Sequence, residues 1–269
     1  MTTLDRKDGF RTYSCMRNYP ISYAAILAAM CLPQDAYAAP AFLPDCAGKV
    51  EIATARVARI EASGALILGD GRRLVLEGIR LPLDGPGDLV SRALATLGSL
   101  ATVEPVTFTI TPPRQDRYGR TRVQAFGHVW LQTALLEQGL ARAQIMPDRQ
   151  ECAPDLYDAE GRARAKGAGL WALERYRVRT VEQLKGTAGS FQLVEGAVDS
   201  IGRTDGRTVI DFGGRLFSVI IAAQDRRAFR DFDFDALSGH HIRVRGIVQD
   251  QRGRPEITLS NPAQIEVLD

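Results

Sequence analysis

Short apolar runs cut by glycine turns constrain this 269-residue chain more than any other feature. Residues 50–60, 66–68 and 74–79 are apolar or alternating, and Ser63-Gly64 and Gly69-Asp70-Gly71 punctuate them. Runs of that length bounded by turn residues are strand signals. Two more, 106–110 and 123–126, flank Arg114-Gln115-Asp116-Arg117-Tyr118-Gly119-Arg120-Thr121-Arg122, which reads as strand, tight turn at Tyr118-Gly119, strand. Three helical segments interleave with these runs. Residues 88–97 carry Leu89, Ala93, Leu94 and Leu97 at helical spacing, with Gly98 as the expected stop. Residues 130–138 form the second helix, stopped by Gly139, and 155–166 the third, where Glu160 and Arg164 sit four apart as a helix-surface pair. A polar connector at 174–187 leads to a second β-run: 191–198, 208–212, 216–221, 241–248 and 257–259. Gly202, Gly206, Gly213-Gly214 and Gly253 punctuate it, and a helix is expected within 222–237.

The first 38 residues read as a signal peptide. Residues 21–32 are apolar but too short to span a bilayer, Met16-Arg17 gives a start with a positive flank, and Ala36-Tyr37-Ala38 resembles a signal-peptidase site. Asp5 and Asp8 suit such a leader poorly, so translation is expected to begin at Met16. Cleavage after Ala38 makes the mature protein periplasmic or secreted, with no membrane span. Of four cysteines, Cys46 and Cys152 lie beyond the leader, and two cysteines in an exported chain most often pair. Such a bond contributes about 4–5 kcal/mol in the chain-entropy model. The mature chain holds 30 Lys+Arg against 29 Asp+Glu, so any nucleic-acid binding must come from a local patch. An arginine-lined turn suits phosphate, because guanidinium offers a planar pair of donors that never deprotonates.

Asp116-Arg117-Tyr118-Gly119-Arg120-Thr121 resembles the Asp-Arg/Lys-Tyr-Gly-Arg signature of the staphylococcal nuclease (thermonuclease) family. Three further segments agree with it in order and spacing: Leu76-Glu77-Gly78-Ile79 with Pro82; Leu135-Leu136-Glu137-Gln138-Gly139-Leu140-Ala141-Arg142; and Glu160, Ala163-Arg164 and Gly169-Leu170-Trp171. The resemblance covers about residues 50–173. It implies a chain that is mainly β with helices (α+β), with an oligonucleotide-binding (OB)-type five-stranded barrel over 46–173. The second β-run, 188–269, reads as a smaller OB-like barrel, five strands with a helix between the third and fourth. Val244-Arg245-Gly246-Ile247-Val248 and the ending at 261–268 resemble small OB-type domains attached to exported nuclease-like proteins. Phe212, Phe217 and Arg215 are candidates there for contacting single strands, although core packing is the role expected of the two Phe.

The family resemblance implies phosphodiester cleavage with one calcium ion, a carboxylate base and two arginines. Calcium takes hard oxygen ligands, and phosphoryl chemistry needs the building charge neutralised. The residues that would supply these groups are changed. Val75 stands at the first catalytic arginine, Arg80 and Leu81 at the calcium-binding Asp and Thr, and Leu83 at the base. The second calcium carboxylate falls at about 62–65, Ala-Ser-Gly-Ala, which has none. Arg120 is the one matching catalytic position, with Asp116 as its neighbour. The expectation is therefore a protein without a metal or other cofactor and without catalysis. Its former phosphate groove, Arg114, Asp116, Arg117, Tyr118, Arg120 and Arg122 with Arg80, would bind single-stranded nucleic acid, another anionic ligand or an envelope protein. A rebuilt metal site drawing on Asp70, Glu77, Asp84 or Asp116 is one alternative, and a structural or assembly role is the other. His240-His241, adjacent on an expected strand, point to opposite faces and do not share a metal, while His128 is expected on the surface.

Overall fold

One bent strand organises the first half of the molecule. The computed structural model describes residues 43–110, 115–116 and 118–269, all within one unit, Tyr37–Asp269. The expected leader and its start codon lie outside the described residues, as do Arg114 and Arg117. Strand β1 (Lys49–Ala55) runs almost directly into β2 (Val57–Ile60), and Thr54, at φ +54°, marks the bend. β3 (Leu66–Leu68) pairs with β2, and β4 (Arg73–Leu76) with β3, both antiparallel. After a two-residue strand β5 (Ile79–Arg80) and helix α1 (Gly87–Thr102) come β6 (Val106–Ile110) and β7 (Thr121–Phe126). β6 joins β1 to β7, and β7 lies parallel to β4. Helix α2 (Leu131–Glu137) follows, then β8 (Arg142–Ala143), which pairs antiparallel with β5 and sets Arg80 opposite Arg142. Helix α3 (Ala153–Ala165) closes this half.

The second half repeats the pairing scheme. β9 (Arg179–Thr180) lies parallel to the start of β10 (Phe191–Thr204). From β10 the order runs through β11 (Arg207–Phe212), β12 (Phe217–Ile221), β14 (Arg254–Leu259) and β13 (His241–Gln251), which pairs back onto β10. β15 (Ile265–Val267) adds to the free edge of β13. In both halves the third strand of the ring is parallel to the last, β4 with β7 and β12 with β14. The chain is thus mixed α+β, of the nuclease/OB-like kind.

Each half closes around its own apolar core. Leu66, Leu74, Phe108 and Val123 meet Leu89, Ala93 and Leu97 of α1 and Leu131 and Leu135 of α2 in the first. Ile210, Phe212, Phe217, Val219, Ile242 and Ile257 fill the second, so Phe212 and Phe217 are packing residues. Cys46 and Cys152 are joined by a disulfide across a sequence separation of 106 residues.

Several sequence expectations need correction. α1 does not stop at Gly98 but continues to Thr102, because Leu97 and Ala101 extend its buried stripe. That burial outweighs the roughly 1 kcal/mol helix penalty of one glycine. Residues 222–237 form no α-helix but two 3-10 turns, Ala223–Phe229 and Asp235–Leu237. Phe229, Phe232 and Phe234 cluster there with centroids 5.0–5.9 Å apart, and Asp233 accepts the Asp235 N–H at 3.0 Å, local contacts that compete with helix. Gly202 does not end its strand, since β10 runs on to Thr204 and turns at Asp205-Gly206. The segment read as a polar connector is folded as well: Tyr176 joins the first core, and Val181 and Leu184 the second.

The helix-surface reading of Glu160 fails most clearly. Glu160 is fully buried, accepts the Ala143 N–H and the Arg245 Nη1–H at 2.8 Å each, and has Arg164 at 3.5 Å. Arg245, 1% exposed, also pairs with Glu266 and lies 3.9 Å over the Tyr157 ring. On β13, Arg245 is thus covered by Tyr157 and Glu160 of α3, while Ile247 on the same face stays 47% exposed.

Candidate functional site

A cavity of about 570 Å³ opens where β4, β5 and the loop after β5 meet the end of the β6–β7 hairpin. Val75, Arg80, Leu81 and Leu83 all line it, as do Ser63 and Gly64 from the turn before β3. The positions that the resemblance assigns to calcium ligands, base and first arginine therefore converge on one space. They fill it with aliphatic carbon and one guanidinium. Gly64 sits at φ +78°, and a Cβ there would come within 2.3 Å of Leu81 Cδ1. Leu81 thus occupies the volume into which a side chain at residue 64 would project.

The hairpin turn is held by its own carboxylate. Asp116 accepts the backbone N–H of Tyr118 at 2.8 Å and of Arg120 at 3.0 Å, while Gly119 takes the positive φ, +71°, that the turn requires. Burial works against ionisation of Asp116, but the Arg120 backbone and guanidinium and the Tyr118 N–H hold its carboxyl below the usual range. Arg120 spends its Nε and Nη2 on Asp116 at 2.8 Å each and lies 5.1 Å from the centre of the exposed Tyr118 ring. Arg122 is clamped two-pronged by Asp148, at 2.8 and 3.2 Å, with Glu77 3.9 Å away. Both arginines line the cavity, yet each is already neutralised by an acid, which the sequence reading did not foresee.

Glu77 also lines the cavity, behind Arg149 at 3.1 Å. Burial pushes its carboxyl up to about 7, with Asp148 adding to the rise and Arg149 and Arg122 opposing it. Arg80 differs from its neighbours. It makes no ion pair among the described residues, and its Nε is buried without a hydrogen-bond partner. Opposite it, Arg142 is 3% exposed, stacked 4.9 Å from the Tyr176 ring and 4.8 Å from Phe191, and donates to the Phe191 carbonyl at 2.7 Å. Burial, helped by the charge of Arg80, pulls Arg142 down to about 10.

The residues present do not fit calcium. Asp116 and Glu77 are each engaged by a guanidinium, Asp70 faces Arg72 at 2.7 Å outside the cavity lining, and Asp84 stands exposed at its rim. Among the described residues, no group of three or more His, Cys, Asp or Glu side chains is placed to hold a metal. Arg80 at the centre of the lining repels a cation besides. Sequence reasoning missed Arg142 and Asp148. The first was quoted only within a motif, and the second acts on a residue 26 positions away.

Bent-strand order, an α1-covered core and this mouth between β5 and the hairpin belong to a mixed α+β chain consistent with a nuclease-like fold. Residues 91–173 match the family described as staphylococcal nuclease homologue. The match begins inside α1, so the altered cavity-lining stretch at 63–84 lies ahead of it. No curated protein matches the chain. Among the described residues, no helix is long and apolar enough to cross a membrane.

Proposed function

We propose that this protein is a non-catalytic relative of the staphylococcal nucleases that uses the former phosphate groove to bind an anionic ligand. One observation carries the reading: the cavity that collects Val75, Arg80, Leu81 and Leu83 offers an unpaired guanidinium where metal chemistry needs carboxylates. The finer fold reading belongs with it: β1 and β2 count as one strand, giving a five-stranded barrel over 46–173, a connector at 174–187 and a second OB-like barrel over 188–269. The disulfide supports export to the periplasm or beyond, with residues 1–38 as leader. The family's nucleic-acid ligands make single-stranded nucleic acid one candidate anion, and an envelope protein is the other. Arg80 takes over as anchor, with Arg120 and Arg122 lining the same cavity and Tyr118 beside Arg120; Arg114 and Arg117, expected in the same groove, lie outside the described residues. A rebuilt phosphodiesterase is the second reading, favoured by Glu77, a cavity-lining carboxyl whose pKa of about 7 suits a general base.

A cleavage assay on labelled single-stranded DNA and RNA, with calcium or EDTA, tests the choice. Arg120→Ala purified in parallel exposes contaminating nuclease. The expected result is no cleavage at high protein in any arm. Calcium-dependent cleavage lost in Arg120→Ala would sink the non-catalytic reading, and cleavage lost in Glu77→Gln would assign the base.

A further inference from the structure

A second cavity, of about 340 Å³, adjoins the first: Gln144 and Met146 line both. Ile145 and Pro147 also line it, and its remaining walls come from the C-terminal half, among them Ile247, Gln249 and Gln264. The two cavities differ in charge. The first contains Arg80, with an orphaned buried Nε, and beside it Arg142, a second guanidinium without an ion pair among the described residues. Arg142 lies behind the lining rather than in it, beneath the Tyr176 ring, whose buried hydroxyl has no hydrogen-bond partner. One half-buried and one buried guanidinium side by side favour a counter-anion, and Asp84, the one lining carboxylate without an ion pair among the described residues, stands exposed at the rim. The second cavity is neutral. Its one charged lining residue, Arg245, is buried and held by Glu160 and Glu266, so apolar carbon and carboxamides remain.

A nucleic-acid strand fits this pattern poorly. It carries a charge at every nucleotide and is gripped by a continuous cationic track with aromatic faces for its bases. Here one free guanidinium is followed by a neutral stretch, and the one aromatic lining residue, Phe191, is buried and stacked on Arg142. One anionic group followed by an uncharged, hydrogen-bonding chain is the pattern of a peptide with an acidic end. The carboxamides of Gln144 and Gln249 can pair with peptide N–H and C=O groups, whereas Gln264 is held by Arg245, Ser260 and Asn261; Leu81, Leu83, Met146 and Ile247 offer apolar contact, Met146 and Ile247 being 38% and 47% exposed. We propose, building on the anion-binding reading above, that the two cavities form one groove for an extended peptide whose terminal carboxylate, or an acidic side chain near it, sits on Arg80.

The test passes random hexapeptide pools over the immobilised full chain. One pool has free C-terminal carboxylates, one is amidated but contains Asp and Glu, and one is amidated and lacks them. A dT12 oligonucleotide forms the fourth arm. Either acidic pool should be retained at least about tenfold better than the acid-free pool, the scale of one charge-assisted hydrogen bond. The stronger of the two identifies the carboxylate as terminal or side-chain. Arg80→Gln should erase that preference, and Ile247→Lys should weaken every peptide arm, with thermal melting confirming that both variants fold. Retention of no peptide pool, or retention indifferent to both substitutions, would overturn the inference. Preferential dT12 binding lost in Arg80→Gln would overturn it too while leaving the anion-binding reading intact. Cleavage of dT12 would instead remove that underlying reading.

Discussion

Replacing Arg245 by Met should destabilise the protein far more than a typical charge deletion. Arg245 is 1% exposed and Glu160 is 0% exposed, so removing the guanidinium leaves a carboxylate in a dry seam with the Ala143 N–H at 2.8 Å and Arg164 at 3.5 Å. Breaking one side of a buried pair costs about 3–5 kcal/mol, since the stranded charge has lost its water and its partner. For a folded unit of this size each kcal/mol moves Tm by about 2–4 °C, which gives a fall of about 6–20 °C. Glu266 suffers less, because Arg243 still holds it at 3.0 Å. The double variant Arg245→Met, Glu160→Leu should therefore be more stable than Arg245→Met alone, as no charge is left stranded. Calorimetry on wild type, both single variants and the double variant completes the cycle. A loss under about 1 kcal/mol for Arg245→Met, or effects that simply add, would refute the reasoning and mean that water reaches the seam.

Glu77 gives a pH signature. Its folded carboxyl lies near 7 against 4.5 for the free group, so the folded state retains a proton that the unfolded state has lost. Stability from this group is fully present below pH 4.5 and fades as pH rises through about 7, by up to about 3 kcal/mol at 1.36 kcal/mol per pH unit. Denaturant melts at pH 4.5, 6 and 8 should show that slope in wild type and its loss in Glu77→Gln; parallel slopes would place Glu77 in water. Reducing the Cys46–Cys152 bond, or changing both residues to Ala, should cost about 2–5 kcal/mol, read as a lower urea midpoint, and an unchanged midpoint would mean that the unfolded chain is not confined by this loop.

What the sequence made legible was local. Gly119 between two β-branched runs marked the hairpin, and Leu89, Ala93 and Leu97 marked α1, because turn chemistry and periodicity act over a few residues. Two cysteines outside the expected leader also sufficed to name the disulfide. The cavity was legible only as a set of substitutions at 75–83; that these residues share one space with Ser63 and Gly64 needed the fold. Charge pairing was not legible at all. Arg120 and Arg122 read as free donors because Asp116 looked like their neighbour rather than their partner, and Asp148 lies 26 residues from Arg122. Glu160 was misread, and its partner Arg245 passed over, for a related reason. Alternation says which residues share a face, but not whether another part of the chain covers that face.

That last point links stability to the groove. Along β13, Ile242, Val244 and Val248 point into the C-terminal core, which puts Arg243, Arg245 and Ile247 on the opposite face. Between the last two, Gly246 admits no side chain, because a Cβ would come within 2.4 Å of Ile257 Cγ2. The register that seats Arg245 on Glu160 is therefore the one that presents Ile247 beside Gln144 and Met146. β8 behaves likewise: it carries Arg142 into the stack of Tyr176 and Phe191 and pairs its backbone with Arg80. A slip of one residue in either strand would strand a buried charge and dismantle the groove together. The buried arginines thus act as register pins. They hold the linings of the two cavities in fixed register, although neither Arg245 nor Arg142 need touch the peptide proposed to bind there.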